Sequence, residues 1–226
     1  MKINNEFVGR TDNEIYYKIK NLNFENDQTM LFGTIVMMKE KTDFWFDFRN
    51  FEKTIYDYNS FAINRKDEIE DSIKDFYENH IYTTKSIEKD NDENIHMNIV
   101  IKIGTDNSIK NPANDYTDKI SKIIEINKKI IGATEKGTEY IVKNLKFNRK
   151  KQMLFGSISI NKETKKFYVD FKRDKTEWDL VEDENNTLDE LDDALYDFIS
   201  NHITEINHSK INKDKNINME MIIKIS

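Results

Sequence analysis

The chain has 226 residues, a formal net charge of −7, 37% hydrophobic residues and no cysteine. This length accommodates two small domains, and the absence of cysteine excludes a disulfide framework, a thiolate nucleophile and a cysteine zinc site. No apolar run reaches 18 residues and the first residues lack a signal-peptide pattern, so we expect a cytoplasmic protein without a membrane span.

The main organising feature is an internal repeat. Met30–Gly33 returns as Met153–Gly156, and a shift of 123 positions also places Tyr17 on Tyr140. After one residue is lost, a shift of 122 aligns the remainder of the two halves. A period near 120 is far longer than a solenoid repeat and corresponds to a small domain.

The repeat predicts the domain organisation. We expect one domain at 1–104 and a second at 124–226, joined by a linker at 105–123. The linker holds the only proline, Pro112, and is predicted to end in a short helix that leads into a strand.

In chain order, the first copy begins with predicted strands. Tyr16–Leu22 alternates apolar and polar residues, residues 25–29 have the composition of a hairpin loop, and Met30–Met38 is a second strand. On that strand the apolar residues shared by both copies, such as Leu31 and Ile35, predict the core face. Gly33 lies on this face, where we expect a helix to approach the backbone closely.

A helix and a final strand are predicted to follow in each copy. Apolar residues recur at helical spacing in Asp67–Ile81 and Thr187–Ile203. After a polar loop, Ile95–Ile103 and Ile217–Ile225 alternate in the manner of strands. The predicted fold is therefore α+β, with two tandem copies of a small antiparallel sheet covered on one face by a single helix and related by approximate two-fold pseudo-symmetry.

The sheet face opposite the predicted helix carries large aromatic residues. These are Phe32 and Trp45 in the first copy, and Phe155 and Tyr168 in the second. Exposed apolar surface of this kind usually marks an interface. The two faces are expected either to pack on each other, which we slightly favour, or to contact a partner.

The second copy also segregates its charges. Nine lysines and arginines lie between Lys146 and Arg173, and the stretch from Glu182 to Asp197 has eight acids and no base. Such segregation can steer partners of opposite charge, although solvated surfaces are the more common explanation. The candidate binding acids are Glu182, Asp183, Glu184, Asp189, Asp192 and Asp193.

Catalytic and metal-binding patterns are weak. His80 and His202 recur at helix ends, where a histidine can bond the last carbonyls. Asp47 and Asp170 precede a basic residue by two positions, as in some metal-dependent nucleases, but this pattern is short. We predict no catalytic site, metal site or cofactor, and keep a metal-dependent hydrolase as a distant third interpretation.

The function predicted by this process of exclusion is a non-catalytic protein-binding module. An inhibitor of the anti-defence or immunity type, from a phage or mobile element, fits such a small duplicated protein. The alternative is a single-stranded nucleic-acid binder that uses the basic loop Arg149, Lys150 and Lys151 beside the aromatic face of the second copy. We predict an unidentified protein partner, no membrane partner, and a monomer or dimer.

Overall fold

The computed structural model describes most of the chain, in eight segments. They are residues 1–25, 29–49, 54–59, 65–104, 122–171, 176–181, 189–213 and 216–226. The described chain is mostly antiparallel β-sheet with two helices, which confirms the α+β class.

The chain forms two compact units. Unit 1 comprises Met1–Ser86, Asn98–Thr117 and His208–Glu220, and unit 2 comprises Ile87–Met97, Asp118–Asn207 and Met221–Ser226. Each unit therefore takes most of its residues from one half of the sequence and a shorter segment from the other half.

Unit 1 is built on a six-stranded sheet. Its strands are β1 (Lys2–Ile3), β2 (Phe7–Arg10), β3 (Tyr16–Glu25), β4 (Met30–Met37), β5 (Glu40–Asp47) and β6 (Ile55–Tyr58). They lie in the order β1-β3-β4-β5-β6, with β2 also paired to β3. Helix α1 (Lys66–His80) packs against β2 and β4.

The alternation of buried and half-buried residues along β4 shows which face of this sheet forms the core. Leu31, Ile35 and Met37 are buried, whereas Phe32 on the other face is half-buried. The predicted core face is thus confirmed. Gly33 lies on it, but its close neighbour is a side chain: an added Cβ would lie 2.6 Å from Cζ of Phe44. An added side chain at Gly33 would therefore first meet the ring of the neighbouring strand.

Two strands follow α1 where the sequence predicted a polar loop and one strand. They are β7 (Ile81–Lys89) and β8 (Ile95–Ile103). The prediction of a loop at residues 82–94 is wrong for most of its length, because only residues 90–94 lie between the two strands. Strand β7 has exposed and half-buried residues mixed along it, so its sequence lacks a clear period of two.

Unit 2 has a sheet with the same number of strands. They are β9 (Ile123–Ile126), β10 (Ile130–Ala133), β11 (Glu139–Asn148), β12 (Met153–Ile160), β13 (Glu163–Asp170) and β14 (Glu177–Leu180). Their order is β10-β11-β12-β13-β14, with β9 paired to β11. Helix α2 (Asp189–His202) packs against β10 and β12.

The chain ends with β15 (Ile203–Ile211) and β16 (Ile217–Ile225). A third sheet of four strands has the order β15-β16-β8-β7. The predicted final strands are confirmed as β8 and β16. Most of the predicted linker, at 105–121, lies outside the described residues, and so does Thr187, the first residue of the second predicted helix.

A tyrosine fixes the helix of each unit to its sheet. The hydroxyl of Tyr17 donates to Asp75 on α1 at 2.6 Å, and that of Tyr140 donates to Asp197 on α2 at 2.6 Å. Each ring lies against a glycine, since a Cβ on Gly9 would come within 2.1 Å of the Tyr17 ring. Only glycine leaves room for this contact.

Candidate interaction surface

Strand β14 and helix α2 together present a mixed aromatic and acidic surface. Trp178 on β14 is the cross-strand partner of the buried Val169 on β13. Val169 shares its face of β13 with Phe167, whose ring centroid is 5.6 Å from that of Phe198 on α2. Cross-strand partners share a sheet face, so Trp178 lies on the α2 side. Its ring centroid is 6.4 Å from that of Tyr196 on α2, and Tyr196 is 62% exposed.

Carboxylates surround this aromatic pair. Asp189 and Asp192 are exposed on the first turns of α2, where the helix dipole favours negative charge. Burial raises the pKa of Asp192, and the charges of Asp179, Asp189 and Asp193 raise it further. These neighbouring carboxylates therefore repel one another, and a cation bound among them would relieve the repulsion.

We define the acidic–aromatic surface by six residues of unit 2. They are Trp178, Asp179, Asp189, Asp192, Asp193 and Tyr196. Of the predicted binding acids, the structure brings Asp189, Asp192 and Asp193 together here. Glu182, Asp183 and Glu184 lie outside the described residues.

The corresponding surface of unit 1 differs at one decisive position. By the shift of 122, Tyr56 and Asp57 on β6 correspond to Trp178 and Asp179, and Glu70 corresponds to Asp192. Burial raises the pKa of Tyr56, and the neighbouring Glu70 adds to this. However, the exposed Lys74 stands where unit 2 has Tyr196. Unit 1 therefore has a cation where unit 2 has an exposed aromatic ring.

The predicted aromatic residues lie in cross-strand pairs on the face away from the helices. Phe32 is opposite Trp45, and Phe155 is opposite Tyr168. All four are half-buried. In unit 2 this row continues to Asp179, the partner of Tyr168 on β14. Asp179 thus borders both the aromatic row and the acidic–aromatic surface.

The basic loop lies in the turn between β11 and β12. Lys150 and Lys151 are exposed, whereas Arg149 is half-buried and its backbone nitrogen donates to the carbonyl of Lys122 at 2.9 Å. On the adjacent sheet face Lys146 pairs with Glu125 at 3.2 Å. The charge of Lys146, which lies on the sheet near this loop, is therefore partly neutralised.

The residues weighed for chemistry are held in structural contacts. Asp47 accepts two bonds from the Arg49 side chain, at 3.1 and 2.9 Å. Nδ1 of His80 is 3.0 Å from the carbonyl oxygen of Gly104, and Nδ1 of His202 is 2.6 Å from that of Ser226. The expected bonds from the histidines to helix carbonyls are thus wrong, because each ring contacts the residue after a final strand.

Sequence reasoning missed Trp178, Asp179 and Tyr196, the residues that complete this surface. The spacing of α2 could have revealed Tyr196, since Asp189, Asp192, Asp193 and Tyr196 follow the i, i+3, i+4, i+7 pattern of one helix face. Trp178 was harder to find because β14 has only four residues, too few to show an alternation of apolar and polar residues.

Comparison with known protein families, curated proteins and solved structures finds no match for this chain. Neither helix in the described segments is long and apolar enough to cross a membrane. Among the described residues, no group of three or more histidine, aspartate or glutamate side chains is arranged to hold a metal ion.

Proposed function

We propose that this chain is a non-catalytic protein-binding module of the inhibitor type, which contacts a basic surface of its partner through the acidic–aromatic surface of unit 2. The observation that carries the proposal is Tyr196, 62% exposed beside Trp178 with carboxylates around it. Aromatic residues are over-represented among the anchors of protein interfaces.

The two components of the surface would have different roles. Tyr196 and Trp178 provide rigid apolar area whose burial supplies affinity at a low cost in side-chain entropy. The carboxylates attract lysine and arginine side chains, accelerate association and orient the partner. Such a surface resembles in its charge the phosphate backbone that a basic groove would otherwise bind.

The proposal includes a duplication. Its support is that the same contacts recur at matched positions of the two halves. Each of these contacts joins residues far apart in the sequence, as in the pairs Tyr17–Asp75 and Tyr140–Asp197. Strand register also shifts between Lys20 and Asn23 and again between Lys143 and Lys146. We propose that these halves descend from one domain and retain an approximate two-fold relation, in a cytoplasmic protein that is a monomer or dimer.

Affinity capture from a cell lysate tests the proposed surface. The wild-type protein should retain a defined set of proteins, identified by mass spectrometry. Neutralising the helix with Asp189→Asn, Asp192→Asn and Asp193→Asn should abolish that capture. Tyr196→Lys, which copies the residue of unit 1, should do the same.

A matched control separates this surface from total charge. The exposed Glu139, Glu163 and Glu205 belong to unit 2 but lie outside β14 and α2. Changing these three to glutamine removes the same charge and should preserve capture. Equal capture by both triple variants, or the absence of any captured protein, would count against the proposal.

Single-stranded nucleic-acid binding remains the second candidate. The row Lys146–Phe155–Tyr168 places a lysine beside two aromatic rings, which suits stacked bases and a phosphate backbone. Salt-dependent binding of an oligonucleotide, lost on charge reversal of Lys150 and Lys151, would favour it. The flanking Glu125 and Asp179 make the row less basic, so we place this function second.

A further inference from the structure

One cation already sits on the acidic–aromatic surface. Lys136 lies in the turn between β10 and β11, which is closed by a bond from the backbone nitrogen of Gly137 to the carbonyl of Thr134 at 2.8 Å. Gly137 has a φ of 78°, a conformation that favours glycine. This turn brings Lys136 to α2, where its Nζ lies 2.6 Å from Oδ2 of Asp193.

The electrostatic environment shows that an ammonium group is favoured at this position. The hydrogen bond to Asp193 raises the pKa of Lys136 above its usual value, and its charge raises it further. Asp189 and Glu190 contribute in the same direction. The pair is nevertheless solvent-accessible, since the two side chains are 74% and 45% exposed. A competing cation can therefore reach Asp193.

A cleft next to the pair offers space for a long side chain. Its volume is about 460 Å³, and its lining includes Lys136, Asp193, Tyr196 and Asp197. Asp197 is engaged by Tyr140 and by Asn201 at 2.8 Å, so Asp193 is the α2 carboxylate of this lining that is open to an incoming cation, and the exposed Glu135 of the turn adds a second negative charge. The exposed ring of Tyr196 could cover the methylene groups of that side chain.

Unit 1 shows that the fold does not require this ion pair. By the two shifts of the repeat, Lys136 corresponds to Asn13 and Asp193 corresponds to Asp71. There the side-chain amide of Asn13 donates to Asp71 at 3.4 Å. A neutral group can therefore occupy the same place between turn and helix.

We infer that Lys136 is a built-in competitor, which occupies the place on Asp193 that a lysine or arginine of the basic partner takes when it binds. This inference rests on the proposed function and adds a regulated exchange of one cation for another. Binding then includes the release of Lys136 into solvent, and the affinity of the surface is lower than its acidity alone would give.

The test measures binding of a fluorescein-labelled peptide of ten lysines by anisotropy at low ionic strength. Lys136→Gln should bind the peptide more tightly than wild type by about two- to fivefold, because an exposed ion pair contributes no more than this. Asp193→Asn should weaken binding, and adding Lys136→Gln to Asp193→Asn should bring little further gain.

The matched control is Lys151→Gln, which removes one positive charge at the opposite end of β11. Lys151 is exposed, and its backbone nitrogen donates to the side chain of Asn148. If Lys136→Gln and Lys151→Gln tighten binding equally, the gain in affinity comes from the change in net charge alone. That result overturns the competitor inference and leaves the proposed surface intact. If wild type shows no saturable, salt-sensitive binding, the inference and the basic-partner proposal both fail.

Discussion

At the scale of the residue, one tyrosine in each unit bonds the sheet to the helix. Tyr17 is 2% exposed, and its hydroxyl bonds a carboxylate 58 positions away. The repeat identified Tyr17 and Tyr140 as equivalent, but a single sequence contains no sign of their partners. A pairing over that separation depends on the sheet register and on where the helix lies.

The bond of Tyr17 to Asp75 has a measurable effect on stability. Tyr17→Phe removes the donor to a carboxylate, and we expect the free energy of unfolding to fall by about 1–3 kcal/mol. The neighbouring Tyr16 is 64% exposed, so Tyr16→Phe should change it by less than about 0.5 kcal/mol. Urea denaturation at pH 7 compares the two, and an equal loss in both variants would contradict this role.

The same contacts predict how stability depends on pH. Burial, with the hydrogen bond and charge of Asp75, raises the pKa of Tyr17, and burial and Asp197 raise that of Tyr140. The folded state therefore keeps both hydroxyls protonated, whereas the unfolded tyrosines ionise near pH 10. Stability is fully present below pH 10 and falls above it, by up to about 1.4 kcal/mol per pH unit for each tyrosine.

The check is a denaturation series from pH 8 to pH 11. The double variant Tyr17→Phe, Tyr140→Phe should lose stability less steeply above pH 10 than wild type, because it lacks the two hydroxyls. Lysine ionisation is common to both proteins and cancels in the comparison. Parallel curves across the whole range would show that the two hydroxyls do not titrate on unfolding.

At the scale of the element, periodicity predicted the long, regular segments and missed the short or edge strands. Helices α1 and α2 and strands β8 and β16 follow strong apolar patterns and lie where these patterns place them. Strands β6 and β14 have four residues each, too few to establish a period. Since β14 carries Trp178, the candidate surface was only half visible in the sequence.

Strand β7 gives a direct test at this scale. It lies at the edge of the four-stranded sheet, so only amides that face β8 have strand partners in the described residues. We expect hydrogen exchange to show alternating protected and unprotected amides along Ile81–Lys89, and rapid exchange at Asp92 in the following turn. Uniformly rapid exchange along Ile81–Lys89 would support the loop that the sequence predicted.

At the scale of the whole molecule, the repeat and the compact units describe different things. Internal similarity divides the sequence at 104 and 124, and these domain boundaries stay a prediction. Unit 2 includes Ile87–Met97 from the first half, and unit 1 includes His208–Glu220 from the second. Within unit 2, Lys89 donates to the carbonyl of Glu125 at 2.9 Å. Sequence similarity cannot reveal such an exchange, because a segment keeps its pattern whichever unit it joins.

Cutting the chain between its halves tests this exchange. A protease site inserted between Lys110 and Asn111 would separate 1–110 from the remainder without removing a described residue. We expect the two fragments to elute together in gel filtration, since each compact unit contains segments of both. Separation into two half-sized species under native conditions would contradict the composition of the units.

The acidic–aromatic surface is tested most directly by amide chemical-shift mapping of the intact ¹⁵N-labelled protein during titration with the ten-lysine peptide. We expect the largest changes in Glu177–Leu180 and along α2 around Tyr196, with smaller changes at β6 and α1, where Lys74 replaces the tyrosine. Changes spread evenly over all acidic residues, or concentrated around Phe155 and Tyr168, would contradict it.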